Sequence, residues 1–122
     1  MTKDDDTLLD GFISDTTDLE EYQNFVNEMT SSNVKNHELE AWWAVSGLSV
    51  EAAELMELYE KAFRKNGVTE VPPENVLDEL GDVLWYAAAV ANASGLTLDD
   101  VIEYNISKLV KRAYEKDKED SE

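Results

Sequence analysis

The chain contains no cysteine, one histidine and two prolines in 122 residues, and only ten basic residues stand against 28 acidic ones. Each shortage closes off a chemistry. Without cysteine there are no disulfides, thiolate zinc sites, iron–sulfur clusters or thiol nucleophiles, and His37 alone cannot furnish a site that needs two imidazoles. A formal net charge of −18 repels bare nucleic acid and anionic lipid over most of the surface, so neither is an expected partner. No apolar run approaches the roughly 18 residues of a membrane span. Asp4, Asp5 and Asp6 stand where a signal peptide would carry basic and apolar residues, so a soluble, cytoplasmic protein is expected. At 13.8 kDa and 43% hydrophobic residues the chain fits one core, small enough that self-assembly is a common route to stability.

What is present is helical periodicity. Leu19, Tyr22, Phe25, Val26 and Met29 recur at helical spacing after Thr17 or Asp18 as N-cap, predicting a first helix to about Thr30. A second helical region from Glu38 carries Trp42, Trp43, Leu48, Leu55, Leu58 and Ala62, with Gly47 as a point of kinking or interruption and Asn66-Gly67 as its end. Pro72-Pro73 leads into a third helix that begins near Glu74 or Asn75 and reaches Ser94-Gly95. Thr97 with Asp100 reads as a capping box for a fourth helix from about Leu98 to Ala113. Nothing alternates at period two, so the expected fold class is all-α, a four-helix-type bundle completed by oligomerisation. The expected divisions are an acidic arm over residues 1–16, a helical domain over 17–113 and a charged tail over 114–122.

Unrolling the helices at about 100° per residue shows polar residues inside apolar stripes. Glu51 falls between Leu58 and Leu55, with Glu54 at the margin, and Glu79 lies beside Val83, Tyr86 and Val90, with Asp82 one turn on. On the fourth helix Asn105 sits between Val101 and Leu109, and Lys108 occupies the margin. A carboxylate buried alone costs several kcal/mol or takes up a proton, so each of these acids needs a compensating partner. Solvated or paired acids on a very acidic surface are one reading of them. Convergence of two acid pairs on a divalent cation is the other, and oxygen donors without His or Cys favour Mg²⁺ or Mn²⁺ over zinc. Lacking Glu-x-x-His, the chain does not read as a di-iron carboxylate bundle. Loaded with a cation, four carboxylates that repel a nucleoside triphosphate would instead attract its phosphates, with Lys108 adding positive charge and Asn105 holding an oxygen.

With these residues in place the chain resembles the MazG-like, all-α nucleoside triphosphate pyrophosphohydrolases. Their signature, Glu-x-x-Glu and then Glu-x-x-Asp, reads here as Glu51-Ala52-Ala53-Glu54 and Glu79-Leu80-Gly81-Asp82, separated by 24 residues. Gly47-Leu48 before the first pair, Lys61 after it, Asp82-Val83-Leu84-Trp85-Tyr86 and the segment Asn105 to Leu109 with Arg112 extend the likeness over residues 18 to 112. Val50 and Ala53 depart from it, standing where many relatives have glycine. The resemblance implies Mg²⁺-dependent cleavage of a (deoxy)nucleoside triphosphate between the α and β phosphates, giving monophosphate and pyrophosphate. It assigns Glu51, Glu54, Glu79 and Asp82 to metal binding and water activation, Asn105 and Lys108 to the phosphates, and Tyr86 to the nucleoside. Glu51, the more interior of its pair, is favoured as a ligand or base at the attacking water. Lys61 either pairs with Glu57 or reaches phosphate. A homodimer or homotetramer is implied as well. Charge and helices alone also fit an acidic interaction protein that mimics DNA, or a nucleotide-binding regulator without turnover.

Overall fold

The computed structural model describes residues 18–30 and 37–121, and of His37 the backbone only. The acidic arm lies outside the described residues. Four helices carry the described chain: α1 (Leu19–Thr30), α2 (Glu40–Asn66), α3 (Pro73–Ala93) and α4 (Leu98–Asp120), with a short 3₁₀ turn, His37–Leu39, leading into α2. There is no strand among the described residues, as an all-α fold requires.

The helix ends follow local chemistry. Asp18 caps α1 by accepting from the Glu21 amide at 2.8 Å. Gly67 stops α2 in the left-handed region, φ 64°, where a side chain would be strained. Pro73 opens α3, one residue earlier than the sequence suggests, because the first turn needs no amide donor from it. The capping box at α4 forms as expected, Thr97 Oγ1 accepting from the Asp100 amide at 3.0 Å while the Asp100 carboxylate accepts from the Thr97 amide at 3.3 Å.

Two helices run on where the sequence suggested a break. α2 passes through Gly47 without interruption. α4 continues to Asp120, since the Lys, Glu and Asp residues beyond Ala113 include good helix formers and need no packing to stay helical.

The core is small. Val26, Ala44, Ala88, Ala89, Ala91 and Leu98 are buried, with Leu19, Tyr22, Trp43, Trp85 and Val90 packed around them. Alanines at the α2–α3 contact let the two backbones come close, which makes this antiparallel pair the main seam of the molecule. α1 crosses α3 above it, with Phe25 edge-on to Trp85 at 5.6 Å between ring centroids.

α1 is tied to the α3–α4 turn by one amide. Gln23 Nε2 donates to Asn92 Oδ1 at 2.9 Å and to the Leu96 carbonyl at 2.7 Å, while Gln23 Oε1 accepts from the Leu98 amide at 2.9 Å. That last bond satisfies a first-turn amide of α4 that the helix cannot pair itself.

α4 differs from the sequence expectation. Its stripe of Val101, Ile102, Ile106 and Leu109 stays largely exposed, Ile106 to 57%. Leu98 is the one buried residue of that helix among those described.

Candidate functional site

The signature acids lie on facing turns of α2 and α3. One carboxylate oxygen from each of Glu51, Glu79 and Asp82 falls within 4.8 Å of the others, close enough for a single cation to bind all three. Glu51 and Glu79 are half-buried and Asp82 is exposed, so the cluster sits at the rim of the seam with one side open. Spacing explains the convergence. Residues three apart share a helix face, and antiparallel packing sets the face of Glu51 and Glu54 against that of Glu79 and Asp82. Glu54 is exposed and lies within side-chain hydrogen-bonding reach of both Glu51 and Glu79.

The electrostatics of the cluster are unbalanced. Burial raises the Glu51 carboxyl above the ordinary value of 4.5, and a hydrogen bond with Glu54 and the charges of Glu54, Asp82 and Glu79 push it the same way. Glu79 is raised by burial first, and then by the charges of Glu54, Asp78 and Asp82. Every charge acting on these two groups is a carboxylate. In addition, Glu51 Oε2 and Glu79 Oε2 are buried without a hydrogen-bond partner. Orphaned anionic oxygens of this kind are rare in folded proteins and call for an ion or a proton. The donor set is hard oxygen throughout, which fits Mg²⁺, Mn²⁺ or Ca²⁺.

One turn beyond the acids, Tyr86 lies across α2 at Gly47. A Cβ built on Gly47 would stand 2.0 Å from Tyr86 Cε1, so only glycine admits the ring there. Trp43 flanks the same ring at 5.4 Å between centroids. The reason for Gly47 is therefore this close approach. Tyr22 of α1, read in the sequence as a packing residue, also belongs to the site's surroundings: burial raises its phenol, and the Asp82 charge adds to the effect.

The remaining sequence candidates have surroundings of their own. Lys61 pairs with Glu57 across one turn of α2 at 2.8 Å, and that bond holds the Glu57 carboxyl below its ordinary value. Asn105 is exposed on α4. Lys108 lines a groove formed with Tyr104, Ser107, Lys111, Arg112 and Glu115 of its own helix.

Comparison with known proteins agrees with this geometry. The MazG nucleotide pyrophosphohydrolase domain matches residues 44–115, a span that contains all four acids, Gly47 and Tyr86. The chain is similar to the Gene 37 protein of Mycobacterium phage L5, 38% identical over 72 residues, which cover 57% of this chain and 63% of that protein. The likeness thus spans less than two thirds of the phage protein's length. No solved structure matches. With more than half of its length matched, and the paired acids facing one another across two antiparallel helices, the chain belongs to the MazG nucleotide pyrophosphohydrolase family.

Proposed function

We propose that the protein is a Mg²⁺-dependent nucleotide pyrophosphohydrolase that cleaves (deoxy)nucleoside triphosphates between the α and β phosphates. The observation that carries this reading is the pair of buried, partnerless oxygens on Glu51 and Glu79, two residues whose carboxylates come within 4.8 Å of each other and of Asp82. Glu51, Glu79 and Asp82 would hold the cation. When bound, such an ion offsets the charge of the carboxylates and of the phosphates and polarises the phosphorus centre.

The chain's own groups supply the rest. Glu54, exposed beside Glu51 and Glu79, accepts the proton of the attacking water as its oxygen bonds to the α-phosphorus. The bond from that phosphorus to the bridging oxygen breaks, and pyrophosphate leaves with the electron pair. Of the two roles the sequence left open for Glu51, ligand or base at the water, its buried partnerless oxygen favours ligand. Tyr86, fixed against Gly47, presents its ring toward the nucleoside.

Asn105 and Lys108 contact the phosphates in this reading, supplied by α4 of a second copy. The uncovered apolar stripe of α4 supports a homodimer or homotetramer. Incubating a nucleotide panel with and without Mg²⁺ and measuring pyrophosphate and orthophosphate separately tests the function. Pyrophosphate should appear only with the metal, and its absence for every nucleotide would refute the proposal.

A further inference from the structure

Five of the ten basic residues of this acidic chain, Lys108, Lys111, Arg112, Lys116 and Lys118, stand together in the second half of α4. On α2, Lys61 and Arg64 are each neutralised by the glutamate one turn earlier, Glu57 and Glu60. On α4 the residue four positions earlier is Tyr104 for Lys108, Ser107 for Lys111 and Lys108 for Arg112, so that device has no carboxylate to use. None of the three forms an ion pair among the described residues. At intervals of three and four residues they crowd one edge of the helix and repel. That edge is also shaped: Tyr104, Ser107, Lys108, Lys111, Arg112 and Glu115 line a groove of about 480 Å³, of which Lys108 is the half-buried member. Tyr104 is 73% exposed, and Tyr114 beside the cations is 69% exposed. At about 100° per residue, Tyr104, Lys111 and Tyr114 lie on the opposite side of α4 from the stripe of Val101, Ile102, Ile106 and Leu109, so an occupant here leaves that stripe free.

The same chain carries a segment of matching pattern. Residues 4–18 hold Asp4, Asp5, Asp6, Asp10, Asp15 and Asp18 without a Lys or Arg, and Leu8, Leu9, Phe12 and Ile13 stand between the acids. This segment joins the fold beside α4, since Asp18, Leu19 and Glu20 line one hollow with Asp99 of that helix's first turn. From Asp99, Lys108 and Arg112 stand about 14 and 20 Å along the helix axis. The residues from Asp18 back to Asp6 span up to about 40 Å when extended, so the acids can reach every cation of the groove.

We propose that residues 4–15 dock in the α4 groove of their own chain, with aspartates on Lys108, Lys111 and Arg112 and apolar side chains against Tyr104 and Tyr114, and that they compete there with the phosphates of the nucleotide. Charge selects this occupant: the groove is a basic island on a chain of net charge −18, and the acids that match it are tethered at its own helix. The competition rests on the function proposed above, which gives Lys108 to the phosphates; the docking does not. A triphosphate that reaches Lys108 must first displace the arm. The arm therefore raises KM and leaves kcat unchanged, because it is off the groove once substrate is bound.

The absence of cysteine makes disulfide trapping specific. In the full chain, Thr7→Cys combined with Ser107→Cys should close under oxidised glutathione within one chain, read as a single-chain species on a non-reducing gel. Asp4→Asn, Asp5→Asn and Asp6→Asn together should slow that closure about threefold or more. Carboxylates near a thiol hold back its ionisation, so their removal alone would speed the reaction, and slowing reports lost docking. Closure that is equal or faster without the three aspartates, or a disulfide that joins only two separate chains, would overturn the docking whatever the protein hydrolyses. Inorganic tripolyphosphate should slow closure as well, and unchanged closure would overturn the competition. In the chain without introduced cysteines, the same three substitutions should lower KM for pyrophosphate release about threefold or more at unchanged kcat. An unchanged KM would likewise overturn the competition. Should no nucleotide yield pyrophosphate, the hydrolytic function fails, and the two closure measurements still decide the docking and the competition.

Discussion

Adding one methyl group at Gly47 tests the seam at its tightest point. The new Cβ would lie 2.0 Å from Cε1, 2.3 Å from Cδ1 and 2.5 Å from Cζ of Tyr86, whereas ordinary contact begins near 3.4 Å. The ring must therefore retreat by about 1.4 Å, with Trp43 flanking it at 5.4 Å between centroids. Overpacking of this kind costs about 1–3 kcal/mol, against about 0.5–1 kcal/mol that alanine gains over glycine inside a helix. A net loss of about 1–2 kcal/mol follows for Gly47→Ala, or roughly 4–8 °C in Tm for a domain of this size. Urea titration followed by far-ultraviolet circular dichroism, at fixed protein concentration, reads the midpoint and slope. In a Tyr86→Ala background the ring is gone and the sign reverses, so Gly47→Ala should stabilise by about 0.5–1 kcal/mol. Equal cost in both backgrounds, or a gain in the unaltered protein, would refute the close packing of Tyr86 on Gly47.

Glu79→Gln should raise the stability of the metal-free protein, because it removes one of several mutually repelling charges, and should abolish both Mg²⁺ binding and turnover; calorimetric titration with Mg²⁺ and thermal melts check the two effects. Because Glu51 and Glu79 keep their protons to higher pH in the folded chain than in the unfolded one, the folded state binds more protons from about pH 4.5 up to their raised values. Metal-free stability should therefore fall as pH rises through that window, and Glu51→Gln should flatten the slope in melts recorded across it. Loss of the α4 cap in Thr97→Ala should cost about 1 kcal/mol, measured by the urea midpoint. If a neighbouring copy supplies Lys108, mixing inactive Glu79→Gln with inactive Lys108→Ala should recover part of the activity by pairing one intact set of acids with one intact Lys108, while each variant alone stays inactive.

The helices and the acid cluster were legible in the sequence because both depend on local spacing. Glu51 and Glu79 stood out as charges inside apolar stripes, and the three-residue interval placed their partners on the same face. Gly47 was not legible in this way. A glycine in a helix suggests a kink, and the contact that requires it lies 39 residues away in Tyr86, visible only after α2 and α3 have packed. The α4 stripe has the pattern of a buried face, and periodicity does not specify whether the covering surface belongs to the same chain. Tyr22 gave no local sign of lying near Asp82, since an aromatic in a helical stripe is an ordinary core residue. Gln23 could have been found: it interrupts the Leu19 and Val26 stripe of α1 just as Glu51 interrupts that of α2.

The Gln23 hub also orders events in time. Its bonds reach 69 to 75 residues along the chain, so α1 can dock only after the turn before α4 has formed, and it carries the largest loop-closure cost in the fold. The α2–α3 hairpin, by contrast, closes over a short connection and contains all four acids. The acid cluster is therefore built into the early, persistent part of the molecule, while α1 is the segment that detaches first. Amide exchange should be faster throughout α1 than in the middle of α2 and α3, so that breakage of one side-chain amide would release that helix while the four acids stay in place.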